Sequence, residues 1–530
     1  MAAEAHRTHT LTVRTDTETK SIAAQNGESF LSVLRGAGYR DPAAPCGGNG
    51  RCGACLLRVS GPVISVSGGT RHEAQDELIP ACRWAPAGDC RVSIPSRGAV
   101  RALTAGAGDI PPCGEGLGLA VDLGTTTVAC FLYELSTGQL LGTRGERSAQ
   151  RAFGADVLSR ILCCSESPEG LGKLASAARE QVRCLAQTLS REAGRRTEEI
   201  QRVAVAGNTT MQHIFAGLSP VGLGAAPFTP RSLFGAELEA SRLLPGLAPG
   251  AALYLAPALA GYVGGDVTAG LYAAGAAEYD GLCLYLDIGT NGEMGLGSRE
   301  GFLCCAAAAG PAFEGAEIAC GMDAADGAID RVCLRDGLPT IHVLGGGKAR
   351  GLCGSGLIDT AAALLDCGAL TPAGRLLPPE EAPEALQRFL RRGEDGIMRF
   401  YLTEEVYVSA ADLRELQLAK AALRAGAETL LALRGKSAED LDCLLIAGGF
   451  GAYMDLRSAL RIGLLPPVPM ERIRHVGNAA GAGAALALSM SERVAMESFS
   501  TRCSYHELSG SALFTELYVE HMAFEEDEED

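Results

Sequence analysis

The chain opens with alternating polar and apolar positions. Residues 9–15 (HTLTVRT) alternate strictly, and a charged turn separates them from a second possible strand at 20–24. Residues 29–39 then place apolar side chains at helical spacing, with Ser29 as a candidate cap and Gly36 and Gly38 at the end. The pattern predicts a β-hairpin followed by a helix.

Beyond residue 116, short apolar strands run into polar turns. Residues 117–121 lead into the first acidic turn, 122–127 (DLGTTT), which a strand at 128–133 follows. Residues 282–286 lead into the second acidic turn, 287–293 (DIGTNGE). An acid, a glycine and hydroxyls on a hairpin turn suit phosphate oxygens and a hydrated metal ion. Two such turns, about 165 residues apart, indicate an internal duplication.

Glycine turns follow two further apolar segments. Residues 203–206 run into GNTTM at 207–211, and residues 444–447 run into GGFGA at 448–452. Both patterns predict a strand, a glycine turn and a helix. Asp266, in GYVGGDVTAG, either orients a water molecule or caps a helix that starts at Val267.

Three cysteines lie in a glycine-rich stretch near the beginning. Cys46, Cys52 and Cys55 are spaced C-x5-C-x2-C within APCGGNGRCGAC. A loop around an inorganic cluster needs thiolates turned inward and backbone amides turned toward sulfur, and glycine permits both. We interpret them as ligands of a [2Fe-2S] cluster.

The fourth ligand is expected to be Cys82, because it follows a short apolar segment and precedes a terminal strand at 91–95. Cys90 is the alternative, and we expect it to pack in the sheet. Zinc is the competing metal, but a zinc ribbon wants a second close pair of cysteines, and seven residues separate Cys82 from Cys90. Buried thiols without a ligand role are the remaining alternative.

Length and composition suggest several domains. The 530 residues (54.8 kDa) exceed one hydrophobic core and correspond to about three or four domains. A Gly, Ala and Pro-rich stretch at 97–115 suits a linker. The expected organisation is a first domain at 1–96, the linker at 97–115, lobes at 116–275 and 276–490, and a C-terminal segment with an acidic tail at 491–530.

Charge and hydropathy exclude some classes of function. The formal charge is -17, and there is no clustered basic stretch, which argues against nucleic-acid binding. The beginning lacks the apolar core of a secretory signal, and the longest uncharged stretch, 243–265, carries three prolines, unlike a membrane span. We expect a cytoplasmic protein without membrane contact. Most of the 19 cysteines are then buried thiols rather than disulfides.

Residues 8–96 resemble a β-grasp [2Fe-2S] ferredoxin, although the first gap between cysteines holds five residues instead of the four usual in plant-type proteins. The turns beyond residue 116 resemble the actin, sugar-kinase and Hsp70 superfamily, in which two ribonuclease-H-like lobes hold ATP between them. The fold class implied is an α+β and α/β multidomain protein. The alternative is that the turns are architectural and bind nothing.

That resemblance implies a nucleotide site on three loops. The first phosphate loop would be Asp122, Gly124, Thr125 and Thr126; the second would be Asp287, Gly289, Thr290 and Asn291; and the adenosine loop would be Gly448, Gly449 and Phe450. Asp266 takes the place of the catalytic base of sugar kinases. The catalytic carboxylates expected are Asp122, Asp266 and Asp287.

Four compact motifs complete the pattern, at 153–161 (FGADVLSRI), 308–322 (AAGPAFEGAEIACGM), 351–359 (GLCGSGLID) and 476–484 (VGNAAGAGA). With the cysteines and the acidic turns they resemble the reductive activators of corrinoid proteins, in which a ferredoxin domain is fused to an ATPase. The resemblance implies ATP with Mg²⁺ and a [2Fe-2S] cluster as cofactors. It also implies a corrinoid protein and an external low-potential electron donor as partners, and we expect a homodimer.

Two functional alternatives stay open: a redox-gated small-molecule kinase and a non-catalytic electron carrier. Glu314 and Glu317 are either metal or partner contacts or a solvated helix face. Cys320 and Cys353 lack the close set of ligands that a second cluster needs. The segment from Ser491 onward has helical periodicity and packs either on the last lobe or on a sister subunit.

Overall fold

A computed structural model describes residues 8–525 except 15–18, 26, 38, 40–54, 68–69, 94–107, 155, 290, 316, 323, 325, 336–337, 450 and 452–453. The chain divides into two compact units, one made of residues 1–104 and 474–477 and the other of residues 105–473 and 478–530. Across the described residues, every helix is too short or too polar to cross a membrane.

The N-terminal unit is a mixed sheet with one described helix. Its elements are β1 (Thr8–Arg14), β2 (Thr19–Gln25), α1 (Phe30–Gly36), β3 (Leu56–Ser65), β4 (Arg71–Pro80), β5 (Trp84–Pro86) and β6 (Cys90–Ser93). The strand order is β2-β1-β6-β3-β4, with β5 on β3; β1 and β6 are parallel, and the other pairs are antiparallel. The predicted hairpin and helix are confirmed, and the Ser29 hydroxyl accepts from the Ser32 amide at 3.2 Å as the N-cap.

The second unit begins with one six-stranded sheet and its helices, here called the first lobe. The elements are β7 (Leu117–Leu123), β8 (Thr127–Glu134), β9 (Gln139–Arg147), α2 (Val157–Glu166), α3 (Gly170–Glu192), β10 (Ile200–Gly207), α4 (Thr209–Ala216), β11 (Ala236–Glu239), α5 (Ala240–Leu243), β12 (Ala252–Leu255) and α6 (Gly265–Ala273). The strand order is β11-β12-β10-β7-β8-β9. Strands β7, β8 and β9 form an antiparallel meander, and β10 and β12 run parallel to β7.

A second six-stranded sheet forms the second lobe. Its elements are β13 (Cys283–Ile288), β14 (Gly292–Ser298), β15 (Gly301–Ala307), β16 (Ala328–Arg335), β17 (Leu338–Val343), β18 (Gly351–Leu352), α7 (Gly354–Asp366), β19 (Leu390–Arg392), β20 (Met398–Tyr401), β21 (Tyr407–Ser409), α8 (Ala410–Leu433), β22 (Cys443–Ala447), α9 (Leu456–Arg461), β23 (Ile473–Gly477), α10 (Ala479–Leu486), α11 (Met490–Ser500), β24 (Ser504–Tyr505) and α12 (Ala512–Glu520). The large sheet has the order β23-β22-β13-β14-β15-β24, and two three-stranded sheets, β17-β16-β18 and β19-β20-β21, accompany it.

The two large sheets share one plan. In each, a hairpin-connected meander of three strands is followed by a strand that pairs in parallel with the first strand of the meander. Asp122 therefore sits near the end of β7, as Asp287 does near the end of β13. The common plan agrees with the duplication that the two acidic turns predict.

The C-terminal segment packs on the second lobe of its own chain. Helix α12 lies against α8. Phe524 is buried, and the buried Lys420 ammonium of α8 donates to the carbonyl oxygen of Ala523. Arg424 of the same helix donates to the Glu525 carboxylate at 3.0 Å. Of the two placements expected for this segment, the structure shows the intramolecular one.

Candidate functional site

The two acidic turns meet in one cavity of about 460 Å³, here called the acidic cleft. Of the predicted nucleotide residues, it is lined by Asp122, Gly124, Thr125, Thr126, Asp266, Asp287, Gly289, Asn291, Gly448 and Gly449. Thr290 and Phe450 lie outside the described residues. Tertiary structure thus brings together residues from both lobes that are more than three hundred positions apart in sequence.

The first acidic turn is held by two side chains from the first lobe. The Asn208 amide donates to the Thr125 hydroxyl at 2.9 Å, while its oxygen caps α4 by accepting from the Met211 amide. Arg160 of α2 is fully buried and donates to the Thr125 carbonyl oxygen at 2.7 Å. From the sequence, Arg160 belongs to the 153–161 motif, but the pattern assigns no role to it. The structure makes it a support for the backbone of the turn.

Asn478 is a second support that the sequence did not single out. Its side-chain amide donates to Oδ2 of Asp122 at 2.8 Å, and its oxygen accepts from the Gly481 amide as the N-cap of α10. The signal lay in the 476–484 motif, where asparagine follows a strand and a glycine, as Asn208 does. In both places asparagine caps a helix and binds the first acidic turn.

Glu314 joins the two lobes. Its carboxylate accepts from the Thr126 hydroxyl at 3.1 Å, and it lies at the end of a 3-10 turn, Pro311–Glu314, beside the acidic cleft. The solvated helix face considered for Glu314 and Glu317 is therefore wrong for Glu314. Since Thr126 belongs to the predicted phosphate loop, a phosphate oxygen at that hydroxyl would compete with the Glu314 carboxylate.

Burial governs the charge of the cleft. It raises the pKa of Asp122 to about 7, with the hydrogen bond from Asn478 opposing and the charge of Asp287 adding to the rise. Burial raises the pKa of Asp287 to about 6, and burial together with the charge of Asp287 raises the pKa of Asp266 to about 7. Burial and the charges of Asp266 and Asp287 also raise the pKa of Glu293 well above its usual value. With Glu314, five acidic side chains line the cleft against one basic side chain, Arg147, and this excess of acids favours a cationic species among them.

Asp266 serves the helix and faces the cleft at once. Helix α6 begins at Gly265, and Oδ1 of Asp266 accepts from the Val267 amide at 2.9 Å. The same side chain lines the acidic cleft. The helix thus starts two residues before the expected Val267, and Asp266 lies in its first turn because Gly264 is the N-cap. The expected capping position is therefore wrong, and the orientation of a water molecule by Asp266 stays a prediction.

Direct protein ligation of a metal is not seen in the described part of the chain: no three His, Cys, Asp or Glu side chains there converge closely enough. A Mg²⁺ ion in proteins commonly keeps several waters and takes one or two carboxylates plus substrate phosphates. The separated carboxylates of the acidic cleft fit that mode of binding.

Cys55 and Cys82 lie together in the N-terminal unit. Their sulfur atoms are 3.2 Å apart, both side chains are buried, and the Cys82 amide points at the Cys55 sulfur at 3.4 Å. Cys46 and Cys52 lie outside the described residues. Two inward-facing thiols with an amide directed at sulfur fit the donor set of an iron-sulfur cluster.

Cys90 occupies a different environment. It begins β6, and its thiol donates to the Pro62 carbonyl oxygen at 3.3 Å. Burial raises the pKa of Cys90 to about 11, and the charges of Glu73 and Asp89 add to the rise. The thiols of Cys320 and Cys353 contact the carbonyl oxygens of Glu405 and Ile329, respectively, and not each other.

Comparisons with known proteins cover nearly the whole chain. Residues 281–530 match the C-terminal ASKHA domain of RACo, and residues 117–278 match the RACo middle region. The corrinoid activation enzyme RamQ of Eubacterium limosum is 34% identical over 418 residues, covering 77% of this chain and 70% of the relative. The [Co(II) methylated amine-specific corrinoid protein] reductase of Methanosarcina barkeri is 26% identical over 392 residues, covering 68% of each chain.

A solved structure described as a reductive activator for corrinoid, iron-sulfur protein superposes with a TM-score of 0.72 at 29% identity, over 97% of this chain and 98% of that one. The order of the motifs, the acidic cleft and these matches agree with one another. The chain belongs to the RACo family of reductive activators of corrinoid proteins.

Proposed function

We propose that this protein is an ATP-dependent reductive activase. It passes one electron from a [2Fe-2S] cluster to the inactive cobalt(II) corrinoid of a methyl-transfer protein and so restores cobalt(I). The observation that carries the proposal is the meeting of the Asp122 and Asp287 turns in one cleft of a chain from this family.

The N-terminal unit is proposed to be a β-grasp ferredoxin domain in which Cys46, Cys52, Cys55 and Cys82 hold the cluster. The sheet order β2-β1-β6-β3-β4 and the close sulfur atoms of Cys55 and Cys82 support this. When bound, such a cluster supplies a one-electron reductant at about -400 mV for a plant-type centre. The residues of the unit bury the sulfur atoms and direct an amide at one of them.

The acidic cleft is proposed to bind ATP with Mg²⁺. Phosphate oxygens would lie against the first and second acidic turns, and adenosine against Gly448 and Gly449. Because Glu314 accepts from Thr126 across the lobes, phosphate at Thr126 changes a contact that joins them. Nucleotide occupancy is therefore coupled to the relative position of the lobes.

This coupling explains why an electron carrier is fused to an ATPase. Each ~59 mV of one-electron mismatch costs a factor of ten in the equilibrium. A hundredfold unfavourable equilibrium for electron transfer corresponds to about 2.7 kcal/mol, which lies within the ~1–3 kcal/mol typical of coupling between two sites. Binding of nucleotide and partner can supply that amount by favouring a docked state in which the corrinoid is easier to reduce.

The test is to mix the reduced protein with a cobalt(II) corrinoid protein and to follow the cobalt spectrum with and without ATP. We expect faster and more complete formation of cobalt(I) with ATP, and loss of that gain in Asp122→Ala and Asp287→Ala. Equal reduction without ATP, or undiminished reduction by both variants, would instead support a non-catalytic electron carrier.

A small-molecule kinase makes a different prediction. Incubation with labelled ATP and a panel of sugars would then give a phosphorylated product without any corrinoid protein. The activase predicts phosphate release that the corrinoid protein stimulates and no labelled sugar.

The remaining expectations belong to the same proposal. An external low-potential donor reduces the cluster, the active species is a homodimer, and the protein works in the cytoplasm. The expected domain boundaries, 1–96, 97–115, 116–275, 276–490 and 491–530, are retained as part of it.

A further inference from the structure

A second cavity of about 390 Å³ lies beside the acidic cleft and is here called the apolar chamber. The two cavities share four lining residues: Thr125, Asn208, Asn291 and Glu293. The rest of the chamber wall comes from the start of α2, Thr210 of α4, the loops at 228 and 261–262, the end of β15 and the C-terminal residues 507–514. The proposed activity assigns no ligand to this space.

The wall of the chamber is largely apolar. The rings of Phe228 and Tyr262 meet edge to face with centroids 5.0 Å apart, and Leu508 and Phe514 also line the space. Phe228 has a backbone φ of 55°, which is uncommon for a residue with a side chain and costs about 1–3 kcal/mol. A volume within the 300–1,000 Å³ usual for ligand pockets suits a large apolar side chain or a short apolar loop.

The charges of the chamber have one sign. Its described lining contains the carboxylates of Asp156 and Glu507 and lacks any Lys, Arg or His. The third acid of the lining, Glu293, adds less negative charge, because burial raises its pKa well above the usual value. Although burial opposes ionisation of Glu507, hydrogen bonds from Ser509 and Tyr505 outweigh it and lower the pKa of that carboxyl. The chamber therefore favours a cation and disfavours phosphate or carboxylate.

An apolar rim extends from the chamber to the surface. Leu158, which lines the chamber, is 59% exposed, and Leu162, one turn later on the same face of α2, is 54% exposed. Phe153, just before the helix, is 39% exposed. Neighbouring exposed apolar side chains at the mouth of a cavity are typical of an interaction site.

The same helix supports the phosphate loop. Arg160, two positions after Leu158, points inward and donates to the Thr125 carbonyl oxygen at 2.7 Å and to the Gln150 oxygen at 3.1 Å. Displacement of α2 by a ligand at its outer face therefore acts on Thr125, which lines both cavities. This gives the chamber a direct physical connection to the proposed nucleotide site.

We propose that the apolar chamber and the rim at Leu158 and Leu162 form the docking site of the corrinoid protein. The partner inserts an apolar projection that carries a Lys or Arg side chain, and α2 transmits its insertion to the phosphate loop through Arg160. This inference rests on the proposed function, because it names the partner that stimulates phosphate release. The charge complementarity of the chamber selects a protein projection with a cation over an anionic small molecule.

The first test replaces apolar contact by charge. Leu158→Asp is compared with Val494→Asp, a matched control on α11, because Val494 is 60% exposed and does not line the chamber. Phosphate release is measured against the concentration of corrinoid protein. We expect the concentration for half-maximal stimulation to rise at least tenfold in Leu158→Asp and to stay at the wild-type value in Val494→Asp.

The second test addresses the cation. Glu507→Gln keeps the shape and loses the charge, and Glu516→Gln on the exposed face of α12 is its control. We expect Glu507→Gln to need several-fold more partner and to show a weaker dependence on salt, because one charge pair is lost at the interface.

The outcomes distinguish failure of the proposed activase function from failure of the docking site alone. Wild-type protein that releases phosphate at one rate with and without partner would overturn the activase itself, and the docking site with it. The docking site alone would be overturned if the corrinoid protein stimulated phosphate release by the wild type and stimulated it to the same extent in Leu158→Asp and Glu507→Gln. The docking site would also be overturned if sedimentation showed that Leu158→Asp splits a dimer while stimulation by the corrinoid protein is unchanged. That result would assign the surface to an interface between copies of this chain.

Discussion

The side-chain amide of Asn478 donates a hydrogen bond of 2.8 Å to the carboxylate of Asp122, a residue 356 positions earlier in the chain. Asp122 is partly buried, and this bond opposes the rise that loss of solvent imposes on its pKa. The bond links the residue that follows β23, an edge strand of the second lobe's large sheet, to the first acidic turn. It therefore helps to keep Asp122 ionised near neutral pH.

Replacement of Asn478 tests this relationship. In Asn478→Asp the side chain still accepts from the Gly481 amide but no longer donates to Asp122, so the pKa of Asp122 rises above about 7. We expect the acidic limb of the pH profile of phosphate release to move to higher pH, with about tenfold lower activity on that limb per unit of pKa. Asn478→Ala loses the cap as well and is expected to lower stability by about 1 kcal/mol. A wild-type pH profile in Asn478→Asp would contradict the role assigned to the bond.

Substitution of Cys82 and of Cys90, in separate variants, tests which of the two cysteines is the fourth cluster ligand. Cys82→Ser removes a sulfur atom that lies 3.2 Å from that of Cys55, whereas Cys90→Ser changes a thiol that contacts the Pro62 carbonyl. We expect Cys82→Ser to lose the cluster or to shift its visible and electron paramagnetic resonance spectra. Cys90→Ser should keep the iron content and spectra of the wild type. The reverse result would make Cys90 the ligand.

Arg160 is expected to be important for stability as well as for the phosphate loop. Arg160→Met leaves the Thr125 and Gly154 carbonyls and the Gln150 side chain without this donor. Loss of a buried, hydrogen-bonded charge costs about 2–4 kcal/mol. Urea denaturation measures the loss, and Arg179→Met, whose Nε donates to the Phe215 carbonyl, should cost less. Equal losses in the two variants would contradict a special role for Arg160.

Glu428 links stability to acid pH. Burial of its carboxyl opposes ionisation, but hydrogen bonds from His521 and Arg424 outweigh it and lower the pKa of Glu428 to about 2. A carboxyl whose pKa is lower in the folded protein stabilises it above the unfolded pKa of about 4.3. That contribution, about 1–3 kcal/mol, is lost as pH falls from about 4.3 to 2.

Glu428→Gln should therefore be less stable than the wild type at pH 6 and should lose less stability on acidification. Denaturant unfolding at pH 6, 4 and 3 measures both effects. Glu404→Gln, at an exposed position, is the control and should follow the wild type. A constant difference between Glu428→Gln and the wild type at all three pH values would contradict the linkage.

Local patterns were sufficient for much of the fold. Alternation predicted β1 and β2, helical spacing predicted α1, and the apolar runs before the acidic turns predicted β7 and β13. These elements follow from short-range periodicity, which a sequence displays directly. The paired acidic turns also indicated the duplication that the two sheets share.

Other features depend on contacts between distant segments. The sequence does not distinguish the 3-10 turn of Glu314 from a helix face, because acids three positions apart look alike on either element. The motifs contain Arg160 and Asn478 but do not indicate that these side chains support the first acidic turn. Their hydrogen-bond partners are 35 and 356 positions away in the sequence. The apolar chamber had no signal at all, because its wall is assembled from eight separate segments.

The sequence by itself determined the residue types that chemistry requires: cysteines among glycines near the beginning, and an acid, a glycine and hydroxyls at the ends of two apolar strands. Only the tertiary structure decided that the two acidic turns face one cleft, that Cys55 and Cys82 adjoin while Cys90 does not, and that Glu314 reaches Thr126 across the lobes. The reason is physical. Backbone conformation is largely a local property, whereas burial, pKa and the partner of a side chain depend on packing between segments that are far apart in the chain.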